Sequence, residues 1–114
     1  MNYIETRPWG TFEILLDAPN VKVKRIIVNP ASQLSYQYHT KRREQWVIVE
    51  GTATVVIEGD PHTLNAGQSI HIPVEAKHRV INNSDTPLTF IEVQTGDYFG
   101  EDDIIRLEDA YGRN

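Results

Sequence analysis

Gln37, His39, Glu44 and His78 are the side chains whose types and spacing could do chemistry in this sequence. Gln37 and His39 are two residues apart, so on a strand their side chains leave the same face, about 7 Å apart along the chain. Glu44 follows Thr40-Lys41-Arg42-Arg43 and opens the next strand, and His78 follows Pro73 and opens a later one. Two imidazoles, a carboxylate and an amide oxygen converging inside a barrel make a nitrogen–oxygen site for a divalent ion such as zinc, manganese, cobalt, nickel or iron. The chain has no cysteine, which excludes disulfides, thiolate metal sites, iron–sulfur clusters and cysteine nucleophiles.

The elements that must position these residues repeat with a period of two. Val21-Lys22-Val23-Lys24 alternates, and Trp46-Val47-Ile48-Val49 and Ala53-Thr54-Val55-Val56-Ile57 are short β-branched runs parted by Glu50-Gly51. Gly59-Asp60-Pro61, Ala66-Gly67, Asn82-Asn83-Ser84-Asp85 and Thr86-Pro87 punctuate the chain as turns. Strands are expected near 10–16, 21–28, 33–39, 44–49, 52–58, 62–65, 69–72, 77–82 and 88–94. Many short strands with regular turns predict an all-β sandwich or barrel rather than a βαβ sheet. Only the tail reads as a short helix or turn. Gly100-Glu101-Asp102-Asp103 would put acids in its first turn, with Ile104, Ile105, Arg106 and Leu107 following.

At 114 residues the chain accommodates a single domain, 1–114, and its 39% hydrophobic content is enough to exclude global disorder. The net charge of −5 argues against nucleic acid, whose backbone requires a basic face. No basic stretch leads into an apolar run after Met1, and no apolar run approaches the roughly 20 residues of a membrane span. The expectation is a cytoplasmic protein with no membrane contact.

Gln37-x-His39-x4-Glu44-x6-Gly51 resembles the first cupin motif, with glutamine replacing its first histidine. Gly67-x5-Pro73-x4-His78-x3-Asn82 resembles the second, with Glu75 where a glycine is usual. The resemblance implies a cupin double-stranded β-helix, a jelly-roll barrel, and a metal. A narrower resemblance, to the type II phosphomannose isomerases, covers nearly the whole chain. It rests on Arg7-Pro8-Trp9-Gly10, Val23-Lys24-Arg25-Ile26, Glu44-x-Trp46, Gly51-Thr52-Ala53, Lys77-His78-Arg79, Glu92-Val93-Gln94 and Gly96-Asp97-Tyr98. The tail pattern, Gly100-Glu101-Asp102-Asp103-Ile104 with Tyr111-Gly112-Arg113, is its most specific part. The family usually reads Gln-Met-His-His-His-Arg-Ala-Glu-His-Trp around its metal site. Here three of those histidines are Thr40, Lys41 and Gln45, while the four ligand positions and Arg42 remain. In larger family members this cupin follows a mannose-1-phosphate guanylyltransferase domain with a glycine-rich nucleotide loop, in the route to GDP-mannose. This chain has no such loop, so it resembles the isomerase half alone and no guanylyltransferase activity is expected.

The resemblance implies isomerisation of mannose 6-phosphate to fructose 6-phosphate through an enediolate, on which a bound dication stabilises charge. Arg42 would stabilise the enediolate or the phosphate, since arginine does not act as a base. Glu92 and Asp103 are candidate bases, with metal-bound hydroxide as a further option. Glu92 could instead pair with Arg25, and Asp103 could cap the tail helix. Lys24 and Arg25 are candidate phosphate contacts, although a regular strand cannot turn both inward. Asp103 and Tyr98 are candidate substrate contacts. The partners expected are a small sugar phosphate and a second copy in a homodimer. Two other readings stay open: a non-catalytic sugar- or sugar-nucleotide-binding cupin that partners a separate guanylyltransferase, and an iron dioxygenase.

Overall fold

The computed structural model describes residues 3–109. The strands are β1 (Tyr3–Arg7), β2 (Gly10–Asp17), β3 (Val21–Val28), β4 (Ser32–Gln33), β5 (Tyr36–His39), β6 (Arg42–Glu50), β7 (Thr52–Ile57), β8 (Asp60–Asn65), β9 (Ser69–Ile72), β10 (His78–Asn82), β11 (Leu88–Gly96) and β12 (Ile104–Glu108). One sheet runs β1-β2-β3-β11-β6-β9, and the other runs β12-β5-β10-β7-β8 with β4 also on β10. Every pairing is antiparallel. No helix among the described residues is long and apolar enough to cross a membrane.

Alternation explains the interior. Strand β6 turns Arg42, Glu44, Trp46 and Ile48 inward and leaves Arg43, Gln45, Val47 and Val49 exposed. Strand β11 turns in Leu88, Phe90, Glu92 and Gln94; β3 turns in Lys24, Ile26 and Val28; β10 turns in His78, Val80 and Asn82. Each of β3, β6 and β11 is therefore apolar at one end of its inner face and charged at the other. Antiparallel register stacks like with like. Phe90 lies opposite both Ile26 and Ile48, while Glu92 lies opposite Lys24 and Gln94 opposite Glu44. The apolar ends build a core with Trp9, Phe12, Ala53, Val55 and Ile72. The charged ends are held above it, around a pocket of mixed polar and apolar lining.

The tail departs from its expected helix. Glu101–Asp103 form a single 3₁₀ turn, and Ile104–Glu108 continue as strand β12. β12 pairs with β5, placing Ile104 opposite His39 and Arg106 opposite Gln37. A short segment with adjacent β-branched residues gains little as an isolated helix, whereas β5 offers an unpaired edge. The expected strand at 33–39 is likewise broken, into β4 and β5.

Asp103 consequently does not cap a helix. Its carboxylate accepts from the Thr40 backbone N–H (3.2 Å), the Thr40 hydroxyl (2.7 Å) and the Lys41 backbone N–H (2.9 Å), closing the turn between β5 and β6. Gly96 packs on the same turn with φ +148°, where an added Cβ would stand 2.5 Å from the Lys41 carbonyl oxygen. Backbone conformation and close approach both require glycine there. The turn bracketed by His39 and Arg42 is thus held from two sides.

Candidate metal centre and adjoining pocket

His39, Glu44 and His78 come from β5, β6 and β10, and one potential ligand atom of each lies within 4.8 Å of the others. All three are buried, at 1–2% exposure. Glu44 Oε1 is 3.9 Å from His78 Nε2, and Glu44 Oε2 is 3.7 Å from His39 Nδ1. Two ligands sharing one ion at bond lengths of about 2.0–2.2 Å stand roughly 3–4 Å apart, so the separation between Glu44 Oε1 and His78 Nε2 fits a divalent ion.

His78 carries the clearest sign of an acceptor awaiting a ligand. Its Nδ1 is 2.8 Å from the Ala76 carbonyl, which can only accept, so Nδ1 bears the proton. The lone pair then resides on Nε2, which is buried without a hydrogen-bond partner among the described residues. Gln37 lies opposite His78 in the ladder, and its Oε1 accepts from the Ser35 hydroxyl at 2.6 Å. Gln37 also lines the pocket that adjoins the cluster.

Electrostatics hold the group ready to ligate. Burial lowers the His39 pKa to about 4, assisted by Arg42 and His78 and opposed by Glu44 and Asp103. The ring is therefore neutral at pH 7. Burial alone would raise Glu44, but His39, Arg42, His78 and the Trp46 indole N–H outweigh it and hold the carboxyl near 2. Trp46 Nε1 donates to Glu44 Oε1 at 3.0 Å, and Arg42 Nε donates to Oε2 at 2.9 Å. Burial alone would lower the Arg42 pKa, but Glu44, Glu92 and Glu101 outweigh it and raise the pKa above the ordinary arginine value.

A pocket opens beside the cluster, with Lys24, Ser35, Gln37, Arg42, Glu92 and Glu101 in its wall together with Arg7 and Arg106. Glu92 is buried and accepts a short hydrogen bond from the Gln94 amide. Burial, reinforced by the nearby Glu44 charge, raises its pKa to about 7 against the opposing pull of Lys24, Arg42 and Gln94. A carboxyl poised near neutrality inside a pocket is suited to take and return a proton.

Residues 2–109 match the family model described as mannose-6-phosphate isomerase C-terminal. The chain belongs to that family. It is 46% identical over 107 residues to the alginate biosynthesis protein AlgA of Pseudomonas aeruginosa, covering 94% of this chain and 22% of AlgA. It is 44% identical over 107 residues to a mannose-1-phosphate guanylyltransferase of Escherichia coli, covering 94% of this chain and 23% of that protein. The chain thus spans less than a quarter of the length of these relatives. Among solved structures, the capsular polysaccharide assembling protein CapF of Staphylococcus aureus superposes with a TM-score of 0.84 at 18% identity, over 95% of this chain and 34% of CapF. A Klebsiella pneumoniae protein with a double-stranded β-helix domain gives 0.75 at 18% identity, over 85% of this chain and 83% of that one. These likenesses establish the cupin jelly-roll fold.

Within this mannose-6-phosphate isomerase C-terminal domain, the fold gathers Gln37, His39, Glu44, His78, Arg42, Lys24 and Glu92 around one cluster and pocket. Three other residues singled out in the sequence lie elsewhere. Arg25 is on the outer face of β3 and pairs with Glu13 at 2.6 Å, so Glu92 does not pair with it. Tyr98 is 39% exposed, bonds to Asp102 and lies under the Lys41 ammonium, 5.0 Å from Nζ to the ring centre. Asp103 is engaged by the turn it closes. Arg7 and Glu101 were legible only as parts of longer patterns, and no spacing rule joins them to the pocket.

Proposed function

We propose that this domain is a metal-dependent aldose–ketose isomerase that interconverts mannose 6-phosphate and fructose 6-phosphate through an enediolate. The observation that carries the reading is the placement of buried Glu92, near neutrality in its titration, and buried Arg42 in one pocket beside the His39–Glu44–His78 group. The family membership agrees with it. A divalent ion held by His39, Glu44 and His78, with Gln37 alongside, would supply Lewis-acid stabilisation of the developing oxyanion.

The chain's own residues supply the rest. Glu92, ionised in part at pH 7, removes the proton from C2 of the open-chain sugar. The electron pair moves into the C1–C2 bond and the carbonyl π electrons onto O1. Arg42 donates to the oxygen that becomes negative, through a charge-assisted bond from a buried guanidinium. The hydroxyl proton of O2 passes to O1, and Glu92 returns its proton to C1. Trp46 holds Glu44 in place from below, and the Asp103-braced turn holds Arg42 from the side.

A coupled assay with mannose 6-phosphate, with and without chelator, tests this reading. Turnover that disappears on chelation and returns with a divalent metal is expected. Sugar-phosphate binding with no turnover at any metal loading would overturn it in favour of a binding cupin that serves a separate guanylyltransferase.

A further inference from the structure

The carboxylate of Glu101 hangs among three cations. Its Oε1 is 3.7 Å from Lys24 Nζ and 3.9 Å from Arg7 Nη2, and its Oε2 is 3.8 Å from Arg42 Nη1. All three distances exceed the roughly 2.7–3.2 Å of a hydrogen bond. Glu101 therefore balances the charge of the three without being tied to any of them.

Two of the partners differ from it in burial, and Arg7, at 32% exposure, lies nearer the surface. The Lys24 and Arg42 side chains are only 5% and 3% exposed, whereas that of Glu101 is 40% exposed, on a single 3₁₀ turn. Lys24 Nζ sits 4.3 Å from the centre of the Phe12 ring, and Arg7 lies over the same ring while also pairing with Glu5. Arg42 is fixed by Glu44 and by the Phe99 carbonyl. The cations are anchored, and the anion between them is the most exposed member of the group.

We infer that Arg7, Lys24 and the Nη1 of Arg42 form the seat for the phosphate of the sugar substrate, leaving Nη2 for the reacting sugar oxygen, and that Glu101 occupies this seat as a built-in competitor. A phosphate monoester brings close to two negative charges and three terminal oxygens, one for each cation, where a carboxylate brings one charge and two oxygens. It can approach to charge-assisted hydrogen-bond distance where Glu101 does not. In the free protein, the carboxylate screens three like charges from one another. On binding, the better-matched dianion takes its place and the 3₁₀ turn moves outward. The seat and Glu92 line the same pocket, so the sugar carbons of a seated phosphate ester lie within that pocket too. The inference rests on the isomerase reading only for the identity of the ester.

The test compares wild type with Glu101→Gln, Lys24→Met and Arg7→Ala as metal-loaded proteins, after thermal melts show each is folded. Calorimetric titrations use mannose 6-phosphate, inorganic phosphate and unphosphorylated mannose, and steady-state kinetics give KM and kcat. Glu101→Gln keeps shape and removes charge, so it should tighten mannose 6-phosphate by about three- to ten-fold and lower KM, with kcat little changed. Lys24→Met and the more exposed Arg7→Ala should weaken it by about ten-fold or more. Inorganic phosphate should follow the same order more weakly, and mannose should not respond. Unchanged mannose 6-phosphate affinity in Glu101→Gln would overturn the competitor role. Equal losses for mannose and mannose 6-phosphate in Lys24→Met and Arg7→Ala would overturn the seat, as would a response confined to inorganic phosphate. If these affinities shift as stated but no variant turns substrate over, the seat stands and the isomerase reading falls. If turnover is present and KM is the same in all four proteins, the isomerase stands and the seat falls.

Discussion

Arg42 Nη2 lies 2.9 Å from His39 Nε2. A guanidinium carries donors alone, so the imidazole nitrogen accepts and its lone pair points at Arg42. The same guanidinium donates from Nε to Glu44, which makes one buried cation a clamp across two of the three candidate metal ligands. Ligation through Nε2 of His39 would use the lone pair that Arg42 engages, and would free Nη2 to donate to another acceptor. In the proposed reaction that acceptor is the sugar oxygen on which charge develops. Metal loading and the catalytic posture of Arg42 are then linked through a single imidazole nitrogen.

Metal should bind through His78 and stabilise the fold. With a dissociation constant near 1 μM and metal at 100-fold excess, binding would add about 2.7 kcal/mol, because three ligands on separate strands are tied together. For a domain of this size that is a rise in Tm on the order of 10 °C. His78→Ala removes the unpartnered Nε2, so it should lose bound metal by elemental analysis and lose the Tm rise. Full metal content in the variant, or a wild-type Tm unchanged by confirmed chelation, would refute the site.

Arg42→Ala should lower turnover by about 10²–10³, the usual loss for one charge-assisted donor to a transition state. Arg42→Lys should recover only part of that, because lysine lacks the planar fork. Both variants should still bind metal at saturating concentration, since arginine is not a ligand, with an altered affinity because Arg42 engages the His39 lone pair and Glu44. Turnover of Arg42→Ala within about three-fold of wild type would return Arg42 to a structural role as the clamp on Glu44.

Glu92 should make the metal-free protein less stable as pH rises. Its folded pKa is raised from 4.5 to about 7, so its contribution is fully present below 4.5 and is lost as pH climbs through 7. The loss is about 3 kcal/mol across that window. Glu92→Gln cannot ionise, so the difference in stability between variant and wild type should grow in favour of the variant from pH 5 to pH 8. In the loaded enzyme the variant should lose about 10²–10⁴ in turnover if Glu92 moves the proton. Chemical-denaturation curves for the two proteins that differ by a constant amount at every pH would disprove the raised pKa.

Much of this architecture was legible in the residue order alone. Period-two alternation placed most of the strands, because one face of each is buried and the other is wet. The cupin spacing of Gln37, His39, Glu44 and His78 pointed to a single cluster, and the side of Lys24 relative to Arg25 follows from strand geometry once either is known to be inside. The tertiary structure decided the rest. Whether Ile104–Glu108 coils or extends depends on the vacant edge of β5, which is invisible to a local window. Asp103 braces the Thr40–Lys41 turn from more than sixty positions away in the chain, a long-range contact that local propensity cannot encode. Glu92 acquires its near-neutral pKa, and Glu101 its three cations, only when sheets closing on one another remove water and bring distant charges within 4 Å of a partner. Residue types and spacing determine which groups can meet; closure of the barrel sets their distances and their exposure to water, and the charges follow from those two quantities.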